Sequence, residues 1–335
     1  MTKKTIYFIF FIFIIFALSQ LTGGKLLALR ENENKIVNKS NVQSKIITQG
    51  VYKGHRWSID EKHLLWWDNK PCVPFSTNQI WIDHDKYPKS NFKQHYKMLD
   101  ELTNDLSKKG ESYFVIFLTR PRIDSMADLF NPTIRAQFEE EWRKYAPAVA
   151  KEGLRGMSFF NEVNFFAAPG PYTHHDYQKV FNDYAKKLKE IVGNVPVLLK
   201  IVGDWNIDPY LFAIQGDFID GMGGDFFETY PDEKLKRVMV KPLTLLNESK
   251  KTKLFWITEF SRIAGKEPNC YWPAFESKEQ MRAFLELFIS HGATGVFYFP
   301  VHHSTEGFAR VTPETAKWFR ELKSEMIKKV LSLKE

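Results

Sequence analysis

The 335 residues contain only two cysteines, Cys72 and Cys270. A chain this long folds on its apolar core alone, so a disulfide framework is excluded and both thiols are expected unpaired. Phosphate-cradling loops are missing too. No G-x-G-x-x-G or G-x-x-x-x-G-K-[ST] occurs, and Gly221-Met222-Gly223-Gly224, the nearest approach, reads as part of a strand. No zinc pattern is present either. His174-His175 and His302-His303 are adjacent pairs, and neighbouring strand residues point oppositely, so neither metal nor cofactor is expected. Basic charge is scarce outside the N-terminus. Of the net +7, residues 1–50 carry +5, with seven Lys/Arg against two Asp/Glu, which leaves +2 for the rest and excludes a nucleic-acid footprint. Long apolar runs are limited to Ile6–Leu18, whose thirteen residues are short for a bilayer span.

That run follows Met1-Thr2-Lys3-Lys4 and ends in Ala17-Leu18-Ser19, with small residues where a signal peptidase cuts. Residues 1–19 are therefore expected to be a signal peptide, which makes the protein secreted, periplasmic or extracellular. The alternative is a membrane tether formed by the uncleaved segment. Residues 20–50, rich in Asn, Lys, Ser and Gln, read as a disordered leader, and residues 51–335 as one domain.

What the chain does have is aromatic mass: 29 Phe, 13 Tyr and 9 Trp, enough for a large core and a binding surface besides. Asp68-Asn69-Lys70-Pro71 reads as a turn between two short strands. Helix-like and strand-like stretches then alternate. Asn91–Lys109 leads to the strand Tyr113–Thr119, Pro132–Lys151 to Leu154–Phe160, and Asp176–Val192 to Val195–Val202. A short helix near Pro209–Gln215 precedes Asp217–Phe227, Glu233–Ser249 precedes "KLFWITEF", and Lys278–His291 precedes "GVFYFPV". Pro313–Val330 closes the chain. Apolar strands alternating with helices indicate a parallel sheet covered on its outside, and the number of units fits a (β/α)8 TIM barrel. One unit is missing before Asn161. Either a strand hides in Ser76–Ser90 or the barrel is irregular in its first strands.

Two carboxylates stand where this fold builds its active sites, at the C-terminal ends of strands. Glu162 follows Asn161 in "GMSFFNEVN", and Glu259 lies in "FWITEFSR" three strand–helix units later, a spacing that matches fourth and seventh strands. A pair meeting over a barrel mouth suits glycosidic bond cleavage, one carboxyl protonated to donate and the other ionised to attack.

These segments, together with "DFFETY", resemble clan A of the glycoside hydrolases, the retaining β-glycosidases on (β/α)8 barrels, and most nearly the cellulase and mannanase family 5. The resemblance covers roughly residues 51–330. It implies that Glu162 is the general acid/base and Glu259 the nucleophile, that Asn161 binds the sugar 2-hydroxyl, that Tyr230 holds the nucleophile, and that Arg120 is the arginine beside it. It also implies a poly- or oligosaccharide substrate. Glu228 stands where the clan often has His, and "VFYFPVHH" replaces its usual eighth-strand Trp, so the sugar itself is not carried over. The alternative is a catalytically silent glycan-binding barrel.

Three aromatics need both readings. Trp205 is a sugar platform or a cap on the core. Tyr298, near the expected mouth, is a substrate-contact candidate. Trp256 is out of phase with Glu259 along an ideal strand, so it is expected to pack against helices. A monomer is expected, with no membrane contact beyond the N-terminal segment.

Overall fold

The computed structural model describes residues 45–83, 92–118, 123, 125–161, 170–202, 213–226, 253–260, 275–298 and 313–334. The first four strands, β1 (Ile46–Tyr52), β2 (His55–Asp60), β3 (Leu65–Trp67) and β4 (Lys70–Cys72), form an antiparallel sheet in that order. The first hairpin turns at Lys53 and Gly54 (φ 48° and 85°) and the last at Asp68 and Asn69 (φ 49° and 61°). Positive φ at both turn positions matches the right-handed twist of a two-residue hairpin, and Asn, Asp and Gly tolerate it. β1 begins at Ile46, within the stretch 20–50 that reads as a leader in the sequence. Pairing with β2 recruits residues whose polar composition suggested a leader.

The remaining strands are parallel. β6 (Gln79–Asp83), β7 (Tyr113–Leu118) and β8 (Leu154–Ser158) make one sheet. β9 (Leu198–Val202), β10 (Gly221–Phe226), β11 (Leu254–Phe260), β12 (Val296–Tyr298) and β5 (Phe75–Ser76) make another, in that order. A single parallel bridge, Met157 to Val197, links the two where β8 meets β9. The strand sought within residues 76–90 is β6. It is separated from β5 only by Thr77 and Asn78. Eight parallel strands, β5 to β12, stand among the described residues. Asn161 follows the fourth of them, β8, and Glu259 lies in the seventh, β11, the places expected from the spacing.

Helices α1 (Phe92–Lys108), α2 (Pro132–Val149), α3 (His174–Val192), α4 (Lys278–Ser290) and α5 (Pro313–Ser332) cover one face of this parallel layer. The sequence of α3 shows why such helices form. Thr173 and Asp176 make a reciprocal capping box at its start, and Gly193 (φ 124°) ends it. Tyr177, Val180, Phe181, Tyr184, Ala185 and Leu188 recur at helical spacing and are buried. They meet Phe159 and Phe160, which follow β8; Phe159 stacks on Tyr184 at 5.9 Å. Phe117 on β7 meets Trp142 of α2, and Phe260 on β11 meets Phe288 of α4.

The opposite face of the parallel layer is lined differently. Trp256 on β11 packs against Phe114 on β7 and Phe297 on β12 (centroids 6.4 and 5.8 Å). A Cβ on Gly156 of β8 would lie 2.7 Å from the Trp256 ring, and one on Gly295 would lie 2.9 Å from it. The expectation that Trp256 packs against helices is therefore corrected. The cause is a β-bulge. Gly224 pairs with Ile257 but the next residue, Asp225, pairs with Glu259, so Thr258 is extra and the phase of β11 shifts.

The antiparallel sheet meets the segments that precede the parallel strands. Trp57 Nε1 donates to Asn194 O (2.7 Å) ahead of β9, and Tyr52 Oη donates to Lys151 O (3.1 Å) ahead of β8. His63 Nδ1 contacts Lys253 O (2.8 Å) ahead of β11, and Thr294 Oγ1, ahead of β12, donates to His63 O (3.0 Å). Four contacts at N-terminal strand ends put this sheet at the end opposite the one where Asn161 and Glu259 lie. Cys72 on β4 is unpaired, and burial pushes its thiol up; Cys270 lies outside the described residues. No helix among the described residues is long and apolar enough to cross a membrane.

Candidate active site

Lys200 is the centre of the candidate site. It sits in the middle of β9, in register with Gly223 of β10, and its side chain is fully buried. Its Nζ donates to Asn161 Oδ1 at 2.7 Å and to Glu259 Oε1, and it lies 3.1 Å from Asp225 Oδ2. The three acceptors come from the end of β8, from β11 and from β10. An ammonium has only donors to offer, and here it makes hydrogen bonds to Asn161 and Glu259 and an ion pair with Asp225. Buried charge at such depth persists only when paired and hydrogen-bonded, and here one cation faces two carboxylates.

The carboxylates are held in turn. Thr258 Oγ1 donates to Asp225 Oδ1 at 2.8 Å. Gln79 Nε2, on β6, donates to Thr258 O at 2.6 Å, and its own Oε1 accepts from Trp81 Nε1 at 2.8 Å. The Trp81 ring lies 5.8 Å from Lys200 Nζ, within cation–π range. The glycines of β10 belong to this packing. A Cβ on Gly223 would lie 2.6 Å from the Thr258 side chain, so Gly-Met-Gly-Gly is a strand kept bare to admit its neighbour, not a phosphate loop.

Asn161 is 2% exposed, and its Nδ2 is a buried donor with no hydrogen-bond partner. Its orientation is not arbitrary. Only the carbonyl oxygen can accept from an ammonium, so the NH2 group must face away from Lys200. A buried donor without an acceptor is costly, and a hydroxyl oxygen of a ligand would relieve that cost. Among the described residues no group of three or more His, Cys, Asp or Glu is disposed to hold a metal ion.

No family model and no curated protein sequence matches the chain. Solved structures do match. The Cellulomonas fimi endo-β-1,4-mannanase aligns over 71% of this chain at 15% identity with a TM-score of 0.51; this chain spans 61% of that one. A β-glucanase from Saccharophagus degradans aligns over 89% of this chain and 99% of its own, at 10% identity and a TM-score of 0.51. Thermotoga maritima Cel5A, solved in complex with cellobiose substrate, aligns over 75% and 85%, at 12% identity and a TM-score of 0.50. The chain shares the fold of these three structures.

Within this fold, two of the residues singled out in the sequence, Asn161 and Glu259, come together on one ammonium. Tyr298 does not join them. It is fully buried on the helix side of β12, stacked on Phe319 of α5 at 5.1 Å and 5.7 Å from Phe260, so it is a core residue and not a substrate contact. The short strand β12 turns Tyr298 outward by simple alternation. Glu162, Arg120, Trp205 and Tyr230 lie outside the described residues.

Lys200 and Asp225 were not among the expected site residues, although each leaves a trace in the sequence. Lys200 is the one charge in the apolar run "VPVLLKIV", and Asp225 ends the apolar and glycine run of β10. A charge in a strand buried on both faces requires a partner, and that requirement is the signal.

Proposed function

We propose that the chain is a retaining glycoside hydrolase that cleaves β-glycosidic bonds of a poly- or oligosaccharide by double displacement. Glu259 is its nucleophile and Glu162 its acid/base. The observation that carries this reading is the meeting of Asn161 and Glu259, from strands three apart, at Lys200 Nζ. Glu162 is the next residue after Asn161. On this reading the two parallel sheets are one barrel, with Glu162 after its fourth strand and Glu259 in its seventh. Glu259 attacks the anomeric carbon while Glu162 protonates the leaving oxygen, and Glu162 then deprotonates the water that releases the sugar. Asn161 Nδ2 donates to the sugar 2-hydroxyl. Tyr230 and Arg120 hold the nucleophile, and Trp205 is a stacking platform.

Azide rescue tests the roles. Glu259→Ala should abolish turnover of aryl β-glycosides, and azide should restore a product of inverted anomeric configuration. Glu162→Ala should lose on the order of 10²–10⁴-fold, with azide giving the retained anomer. The same anomer from both variants would reverse or void the assignment.

A second reading, a catalytically silent glycan-binding barrel, draws on the 1% exposure of Glu259 and its ion pair with Lys200. It requires that the wild-type protein binds glycans and hydrolyses no aryl β-glycoside.

A further inference from the structure

The reaction as proposed uses Glu259 and Asn161 and assigns nothing to the buried lysine between them. We propose that Lys200 is the positioning residue of the site: one ammonium holds the Glu259 carboxylate ionised and turns the Asn161 amide so that its NH2 group is presented to a hydroxyl-bearing ligand. The catalytic part of this inference rests on the glycosidase reading; the electrostatic part does not.

The geometry supports a single role for these contacts. Lys200 Nζ donates to Glu259 Oε1 and to Asn161 Oδ1 (2.7 Å), and forms an ion pair with Asp225 Oδ2 at 3.1 Å. An opposite charge in direct contact favours the ionised form of a carboxylate, which is the form a nucleophile needs. The same contact fixes the amide. With Asn161 Oδ1 committed to the ammonium, Nδ2 is left as the buried donor without a partner. Asp225 steadies the arrangement from the other side. Its second oxygen accepts from Thr258 Oγ1 at 2.8 Å, so it anchors the ammonium. It also competes with Glu259 for the positive charge. An ammonium between two carboxylates stays protonated, so Lys200 is not an amine nucleophile.

The test reads the Glu259 carboxyl directly. Protein labelled with 13Cδ-glutamate is titrated by NMR, with Glu259 assigned from the signal lost in Glu259→Gln. Removing the cation in Lys200→Met should move the Glu259 midpoint up by about one to three pH units. Lys200→Gln, which retains a polar group of similar reach, should move it the same way and serves if the methionine variant does not fold. Asp225→Asn removes the competing carboxylate and should move the midpoint down. An unmoved midpoint in the lysine variants, or an upward shift in Asp225→Asn, would overturn the proposal. In hydrolysis of aryl β-glycosides, the acidic limb of kcat/KM should follow the NMR midpoint in each variant. The preference for 2-hydroxy over 2-deoxy substrates should also shrink when Lys200 is replaced, because the amide is no longer held. A merely structural lysine would lower activity without moving the limb. If the midpoints shift as expected but the wild type hydrolyses no glycoside, the glycosidase reading fails and the electrostatic role of Lys200 stands.

Discussion

Thr258 and Glu259 are neighbours in one strand, yet both side chains end at the same buried cluster: Thr258 Oγ1 on Asp225 Oδ1 at 2.8 Å, and Glu259 Oε1 on Lys200 Nζ. Regular alternation would send one of them to the helices. The bulge at Thr258 keeps both on the site face, and glycine on the adjacent strand makes room for it. Gly223→Ala should therefore destabilise the protein by about 1–3 kcal/mol, the cost of overpacking a filled core. Gly156→Ala should do likewise against Trp256 and Phe114. Urea unfolding measures both. Combining Gly223→Ala with Thr258→Ala should cost less than the sum of the single changes, because the two residues contend for one space. Additive costs would mean that the bulge does not constrain Gly223.

A pH dependence follows from the start of α3. Hydrogen bonds from the Thr173 side chain, and then its backbone N–H, hold the Asp176 carboxyl below its usual range. A carboxyl lowered in the folded state contributes stability that is present above its unfolded pKa of about 3.9 and is lost as pH falls through the folded value. Thr173→Ala removes the largest cause. The variant should be less stable at pH 7, and its stability should fall less steeply than the wild type's below about pH 4. Thermal melts between pH 7 and pH 2.5 compare the two slopes. Parallel curves would show that the cap does not couple to the charge.

Export is the third expectation. Since Ile6–Leu18 is short and Ala17-Leu18-Ser19 supplies a cut, mature protein should begin near Gln20. N-terminal sequencing of protein recovered from cells checks it. Membrane-bound material that begins at Met1 or Thr2 would establish the tether instead.

Local chemistry in the sequence determined what depends on a few consecutive residues. The turn at Asp68 and Asn69, the helix from the Thr173 cap to Gly193 and the strand from Tyr113 are each set by φ preferences, capping bonds or apolar period, so each was legible one-dimensionally. Asn161 and Glu259 were each legible as polar residues closing apolar strands, and a parallel sheet brings such ends to one side; Glu162, which the sequence paired with Glu259, lies outside the described residues. Tertiary structure alone decided the rest. Whether Trp256 faces helices or strands was set by an extra residue in β11, and a bulge is stable only when the neighbouring strand leaves space for it. The division of the stretch 75–83 into β5 and β6 follows from their pairing with β12 on one side and β7 on the other. Lys200 shows the limit most clearly. Its charge is costly in an apolar strand, and only the register of β9 with β10 and β11 brings up the two carboxylates that offset the cost.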